Sequence, residues 1–346
     1  MANKNPDLPE RLQLLKAAYF AAKPSITIGR ALAYTEIAKE FPHLPKILLR
    51  AKGFKRACET APMLIQENEL IVGHPCGNPR AGAFSPDIAW QWIRDELGTI
   101  GTRSQDPYFI SEDDKKIMRE QLFPFWQGKS LAEECEKVFR KENEELWEFG
   151  AEACISDLTY HITSGGGDTS PGYDIILFKK GINGVKAEAE ACLAELSPGK
   201  EEETDKIAFY QAAIETCEGI LTYAARLSAY ALELSEKEQD PKRKKELESI
   251  AAVNARVPAN PPETFQEALQ SIWTIQSLFL MEENQCSTSL GRIDQYVYPC
   301  YAADKESGRM DDAQALELMG CFIIKCSEMV WYTPGATAKY FAGYMP

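Results

Sequence analysis

TDKIAFYQAAIETCEGILTYAARLSAYALELSEK, Thr204–Lys237, sets an apolar residue at every third or fourth position: Ile207, Tyr210, Ile214, Cys217, Leu221, Ala224, Leu227, Ala231 and Leu234. The seam continues for about eight helical turns, so one face of a single long helix is buried along its length. Such a helix needs helical neighbours, and the flanking sequence supplies them. Apolar spacing near 3.6 predicts helices over residues 8–22, 26–40 and 45–65, broken by Pro24, Pro42 and Pro45. Similar patterns fall at 86–97, 112–122, 130–148, 185–196, 263–283 and 311–331. Pro241 opens a charged helix, and NPPET, Asn260–Thr264, separates it from the next. ELIVG, Glu69–Gly73, reads as a short strand. HPCGNPRAGAFSPD, His74–Asp87, reads as irregular. DIILFKK, Asp174–Lys180, suits a strand or the first turn of a helix. The fold class is α/β, dominated by helix.

The 346 residues are 45% hydrophobic, ample for a large core. Length alone suggests about two domains, although single barrels reach this size. A net charge of −14 and a pI near 4.9 exclude the basic stripe of a nucleic-acid binder and disfavour docking on an anionic membrane. The N-terminus has no signal-peptide pattern, and no segment has the roughly 20 apolar residues that span a bilayer. A cytoplasmic protein is expected. Its ten cysteines, with no C-x-x-C pair among them, read as reduced, mostly buried thiols. The sequence stops at KYFAGYMP, which is aromatic and apolar where an ordinary terminus is polar. More fold is expected beyond Pro346.

The candidate site is TYHITSGGGDTSPGYD, Thr159–Asp174. Gly165, Gly166 and Gly167 clear three side chains from beside Asp168, so a ligand can approach backbone and carboxylate together. A phosphate cradle is excluded, because no Lys follows the glycines and Asp168 would repel phosphate. Ser170 stands where a dinucleotide fingerprint needs its third glycine. His43, His74 and His161 are too scattered for a metal signature, and G-x-S-x-G is missing. Glu282 and Glu283 close a helix, either as acid–base candidates or as a solvated helix end. A loop that doubles back brings Tyr160 and Asp168 around one pocket for a small cationic or hydroxylated ligand. A glycine-rich turn whose Asp caps its own backbone is the competing reading, and the residues alone leave both open.

Five stretches then occur in order: SITIGRALAYTEIAKEFP, ELIVGHPCGNPRAGAFSPD, TYHITSGGGDTSPGYD, NPPETFQEALQSIW and EENQCSTSLGRIDQYVYPCY. Together they resemble the N-terminal part of the glycyl radical enzymes, the pyruvate formate-lyase-like superfamily, over essentially the whole chain. LGRIDQYVYP carries the superfamily likeness, and the segment from Tyr160 to Asp168 resembles the choline trimethylamine-lyases. The resemblance implies the first part of a ten-stranded α/β barrel, with residues 1–346 as the N-terminal part of its main domain and the C-terminal glycine radical domain absent. It implies that Tyr160 and Asp168 bind choline, with Asp168 facing the trimethylammonium group and Gly165, Gly166 and Gly167 supporting the loop. It implies radical C–N cleavage of choline to trimethylamine and acetaldehyde. No bound cofactor or metal is expected. The complete enzyme would carry a glycyl radical installed by a radical-SAM activating enzyme, would form a homodimer, and would work in the bacterial cytoplasm or a microcompartment.

The two radical loops of the family have no match here. Gly320-Cys321 is followed by Phe322 and Ile323 with no glutamate, and Gly343-Tyr344 lacks the preceding Arg-Val. The catalytic residues are therefore expected outside this chain, which alone should be inactive. Two alternatives stand beside choline cleavage. One is a glycyl radical dehydratase of glycerol or propane-1,2-diol, in which water is the leaving group. The other is a non-catalytic module that binds a ligand or partner.

Overall fold

The computed structural model describes residues 8–145, 147, 170–284 and 288–339. The long helix runs over Thr204–Lys237, as its seam predicts. It packs against the helices Lys46–Thr60, Pro241–Arg256 and Phe178–Ala194. Its buried stripe is built mainly from small residues, including Ala208, Ala212, Gly219, Ala224, Ser228 and Ala231. Ile207, Ile214 and Leu221 of the expected seam are only half-buried. Small residues let the helices approach closely: a Cβ on Gly219 would lie 2.9 Å from the Cα of Lys55.

The predicted helices near the N-terminus appear as Glu10–Ala21, Gly29–Glu40 and Lys46–Thr60. Residues 86–97 shrink to Gln91–Glu96, and 112–122 becomes Glu112–Ile117 with a wider turn at Met118–Leu122. The later patterns appear as Leu131–Glu142, Phe265–Glu283 and Asp312–Cys326. Each of these three starts with a reciprocal cap, from Ser130 and Glu133, Thr264 and Glu267, and Asp311 and Gln314. Such pairs satisfy backbone donors that a helix start leaves free. DIILFKK takes the helical alternative, as a wide turn over Tyr173–Leu177 that leads into Phe178–Ala194.

The strands lie where the sequence reading did not place them. β1 (Ser25–Thr27) and β2 (Ala81–Ala83) pair in parallel, with Ile26 opposite Gly82. Phe109 bridges to Ser25 on one side and Met329 bridges to Ala81 on the other, both in parallel. Four segments thus form one parallel wall, buried at β2 and open at Phe109, and helices join them, as parallel connections require. β2 falls inside the stretch read as irregular, because Ala-Gly-Ala has none of the branched residues that mark a strand. Gly82 is required by its neighbours: a Cβ there would lie 2.4 Å from the carbonyl oxygen of Val330 and 2.7 Å from the Tyr332 ring.

ELIVG is no strand: it bends at Leu70 and Ile71 and carries no ladder pairing. Gln270 replaces the neighbouring strand: its side-chain oxygen accepts from the Val72 N–H at 2.9 Å, and its amide donates to the Val72 carbonyl at 3.0 Å. Once a side chain has satisfied that donor and acceptor, no sheet partner is needed.

Candidate functional site

Tyr160, Gly165, Gly166, Gly167 and Asp168 lie outside the described residues, as do Gly343 and Tyr344. The chain re-enters at Ser170 and reaches Gly172, which sits at φ 67° and ψ 46°. That left-handed conformation suits glycine. The Gly172 carbonyl accepts from Ile175 and Ile176 and starts the turn that buries Tyr173. Ser170 runs beside the start of LGRIDQYVYP, since a Cβ on Gly291 would lie 3.9 Å from its hydroxyl. The Tyr173 ring stands 6.5 Å from Tyr296, and Tyr296 packs edge-on against Phe178 at 5.1 Å. Two of the stretches that carried the resemblance are therefore neighbours in space.

The helix Phe265–Glu283 holds this arrangement together through a row of polar side chains. Gln266 donates to the Leu70 carbonyl, Gln270 clamps Val72, and Trp273 donates to the Gly73 carbonyl at 2.8 Å. Further along, Tyr173 donates its hydroxyl to Gln276, and Gln276 donates to the Thr288 carbonyl at 3.0 Å. Asn284 ends the helix in the left-handed region. Its amide donates to the Tyr332 carbonyl at 3.0 Å and its oxygen accepts from the Tyr332 N–H at 3.2 Å. The Tyr332 hydroxyl in turn donates to Ala83 at the end of β2.

Glu282 is not a solvated helix end. It accepts from Tyr34, from Arg30 at 3.3 Å and from Arg50 at 2.6 Å, and Arg50 also pairs with Glu283. Arg30 meets Asp87 through two bonds of 2.6 and 3.1 Å. Burial alone would lower the pKa of Arg30, but Asp87, Tyr34 and Glu282 raise it well above its ordinary value. Burial and Glu282 push the Tyr34 phenol up, so it stays protonated as a donor. With two arginines and a phenol on it, Glu282 ties the helices Gly29–Glu40 and Lys46–Thr60 to the end of Phe265–Glu283.

A second ionic group lies deeper. Lys325 pairs with Glu69 and, at 2.8 Å, with Glu328, and all three side chains are at most 4% exposed. Burial opposes the Lys325 charge, yet Glu328 and Glu69 hold its pKa above the usual value. Burial pushes the Glu328 carboxyl up to about 7. His74 sits beside this group. Its Nδ1 accepts from the Cys76 N–H, which leaves Nε2 to donate to the Glu328 carbonyl at 3.3 Å.

Burial and the Lys325 charge lower the His74 pKa to about 3. Unfolding returns it toward its ordinary 6.5, so the unfolded chain binds an extra proton as pH falls below that value. The stability that a neutral His74 provides is therefore full above about pH 6.5 and is lost toward pH 3, at about 1.4 kcal/mol per pH unit. Glu328, raised in the fold, has the opposite slope between roughly pH 4.5 and 7 and masks the effect in the parent protein. The comparison with His74→Gln isolates it. Denaturant titrations should show the parent's advantage over the variant shrinking by roughly 2 kcal/mol from pH 7 to pH 5. A constant difference would mean that His74 takes up its proton over the same pH range in the folded chain as in the unfolded one.

Among the described residues, no group of three or more His, Cys, Asp and Glu side chains is placed to hold a metal ion. The eight described cysteines are free thiols. Cys321 lies inside the helix Asp312–Cys326, and burial pushes its thiol up to about 12. Gly320 beside it serves packing, since a Cβ there would strike Leu12 at 2.3 Å. A cleft of about 270 Å³ opens at the carboxyl ends of β1 and β2, lined in part by Thr27, Arg30, Cys76 and Ala83. Arg30 is already neutralised there, and burial pushes the Cys76 thiol up to about 12. No described helix is long and apolar enough to cross a membrane.

The parallel wall, the polar row on the Phe265–Glu283 helix and the paired segments at Ser170 and Gly291 define the class. The pyruvate formate lyase-like family matches residues 4–346, and the chain belongs to it. It corresponds to the N-terminal portion of these glycyl radical enzymes. Among particular relatives, the chain is 32% identical over 343 residues to the isethionate sulfite-lyase of Bilophila wadsworthia, covering 97% of this chain and 41% of that enzyme. Its fold matches that of the protein of 1,2-propanediol dehydration in Roseburia inulinivorans with a TM-score of 0.90 and 31% identity, over 97% of this chain and 40% of that one. The glycerol-bound, B12-independent glycerol dehydratase of Clostridium butyricum matches with the same score and identity, over 99% of this chain and 43% of that one. The chain spans about two-fifths of the length of these relatives. By their names they act on isethionate and diols, not on choline.

Proposed function

We propose that this chain is the N-terminal, substrate-facing part of a glycyl radical dehydratase of a small vicinal diol. The observation that carries the reading is the TM-score of 0.90 to two diol-dehydrating enzymes over at least 97% of this chain. The substrates named for the relatives share one chemical pattern: a hydroxyl-bearing carbon beside a carbon that holds a leaving group. Abstraction of a hydrogen atom from the first carbon, departure of the hydroxyl of the second as water with the proton of the first carbon's hydroxyl, and return of the hydrogen atom to the second carbon would leave an aldehyde. A glycyl radical, installed by a radical-SAM activating enzyme, would supply the hydrogen abstraction. The residues of this chain would bind and orient. Asp168 would accept from the diol hydroxyls, Tyr160 would wall the same end, and Gly165 to Gly167 would let the substrate approach the backbone. A carboxylate at 168 repels a sulfonate, which argues against isethionate as the substrate here.

Choline trimethylamine cleavage is the second reading, and the aspartate directly after three glycines favours it. A desolvated trimethylammonium group needs a counter-charge, whereas a diol needs only acceptors. Steady-state kinetics of the activated enzyme on propane-1,2-diol and choline, before and after Asp168→Asn, test the choice. On the diol reading, the diol is turned over and the neutral amide raises its KM by roughly tenfold or less. A choline enzyme would turn over choline and lose it by roughly 100-fold or more. Homodimerisation and the assignment of all 346 residues to one catalytic domain belong to the same proposal.

A further inference from the structure

The polar row on the Phe265–Glu283 helix contains two buried glutamines of the same type with different targets. Gln270 clamps Val72, in the irregular stretch after the N-terminal helices. Gln276, 6% exposed, holds two segments at once. Its side-chain oxygen accepts from the Tyr173 hydroxyl, and its amide donates to the Thr288 carbonyl at 3.0 Å. Tyr173 and Thr288 are themselves buried. Tyr173 stands five residues after Asp168, and Thr288 stands two residues before LGRIDQYVYP. Burial pushes the Tyr173 phenol well up, so it remains a donor at all working pH values and the relay keeps one direction.

An amide is the side chain this position demands. It presents an acceptor and a donor together, and a carboxylate or an aliphatic group would leave one partner unpaired in the interior. Glycines on both sides, Gly172 at φ 67° and Gly291 at φ 65°, leave the backbone beyond the clamp free of side-chain constraint. The relay thus fixes the spacing of the two segments together with the packing of Tyr173 on Tyr296, whose hydroxyl donates to the Leu290 carbonyl at 2.6 Å.

We propose that Gln276 is a positioning residue, setting the distance between the Ser170–Tyr173 and Thr288–Gly291 segments, the first of which follows the proposed binding residue Asp168 by two positions in sequence. This rests on the functional reading above for its kinetic consequence, but not for the clamp itself. The test compares Gln276→Leu, Tyr173→Phe and Gln270→Leu in the activated enzyme with propane-1,2-diol and with choline. Gln276→Leu and Tyr173→Phe should each raise KM about tenfold with a smaller change in kcat. Combined, they should raise it no further than either alone, because they break one relay. Gln270→Leu should lower thermal stability at least as much and leave KM within about twofold. Equal KM effects at Gln276 and Gln270, or none at Gln276, would overturn the proposal.

Hydrogen exchange on the same proteins without substrate separates the two claims. The amides of Ile175, Ile176 and Gly291 should exchange faster in Gln276→Leu and remain as in the parent in Gln270→Leu. If the parent enzyme turns over neither substrate, the functional reading falls. Exchange then still decides the clamp: unchanged protection at these amides overturns it.

Discussion

Lys325→Met is expected to destabilise the protein by about 3–5 kcal/mol, measured by denaturant titration at pH 7. The substitution keeps much of the side-chain volume and removes one charge. It leaves Glu69 and Glu328 facing each other with side chains at most 4% exposed. Gln66 holds Glu69 through its backbone N–H and its side chain, both at 2.9 Å, and cannot supply the missing cation. Two adjacent buried carboxylates cannot both stay ionised, so one must take a proton or the site must open to water. The loss would spread, because Glu328 also accepts from the Ala81 N–H at 3.1 Å and so borders the parallel wall. Replacing all three residues together, Lys325→Met with Glu69→Leu and Glu328→Leu, should recover most of the stability, since a well-packed apolar triad costs little. A loss below about 1 kcal/mol for the single variant would show that the triad is wetter than its burial indicates.

Gly82→Val should cost at least about 3 kcal/mol and lower soluble yield. Valine suits a strand by propensity, so the prediction rests on space alone. The first added carbon already meets the Val330 carbonyl oxygen at 2.4 Å and the Tyr332 ring at 2.7 Å. Backbone cannot yield as a flexible side chain can. The Met329–Tyr332 segment would have to move, breaking the 3.0 Å bond from the Val330 N–H to Ala81 and loosening the Asn284 clamp on Tyr332. Gly98→Val is the control, because a Cβ there meets nothing within 4 Å. Equal stability of the two variants would remove the close approach from the account.

The helices were the legible part of this fold. Apolar period located Thr204–Lys237 and Phe265–Glu283 because an apolar face repeats where a helix buries it. The buried stripe of the long helix was less legible. It is set by how near Lys46–Thr60 can come, and alanine, glycine and serine do not stand out in an apolar pattern. The strands were misplaced for a related reason. Ala81–Ala83 is a strand because neighbours crowd it, and ELIVG is not one because Gln270 has taken its hydrogen bonds. The first concerns Ser25, 56 positions before Ala81, and Met329, 248 positions after it, and the second concerns Gln270, 198 positions after Val72, all beyond any local pattern.

The site was legible as a family likeness more than as geometry. Tyr160 and Asp168 were singled out by their glycine-rich setting, whereas Gln276, Asn284 and Tyr332 carried no signal beyond being polar or aromatic within apolar stretches. Glu282 was misjudged because its partners Arg30, Tyr34 and Arg50 come from two distant helices. The narrower reading, choline, came from the Tyr160–Asp168 segment alone. The likeness spread over the whole chain points instead to enzymes named for diols and isethionate.

Product analysis tests the central claim most directly. The enzyme carrying this chain would be activated anaerobically by its radical-SAM partner and given propane-1,2-diol, glycerol and choline in parallel, with aldehyde and trimethylamine measured in each. The account predicts aldehyde from at least one of the two diols, with little or no trimethylamine from choline. Trimethylamine and acetaldehyde from choline, with neither diol consumed, would contradict it.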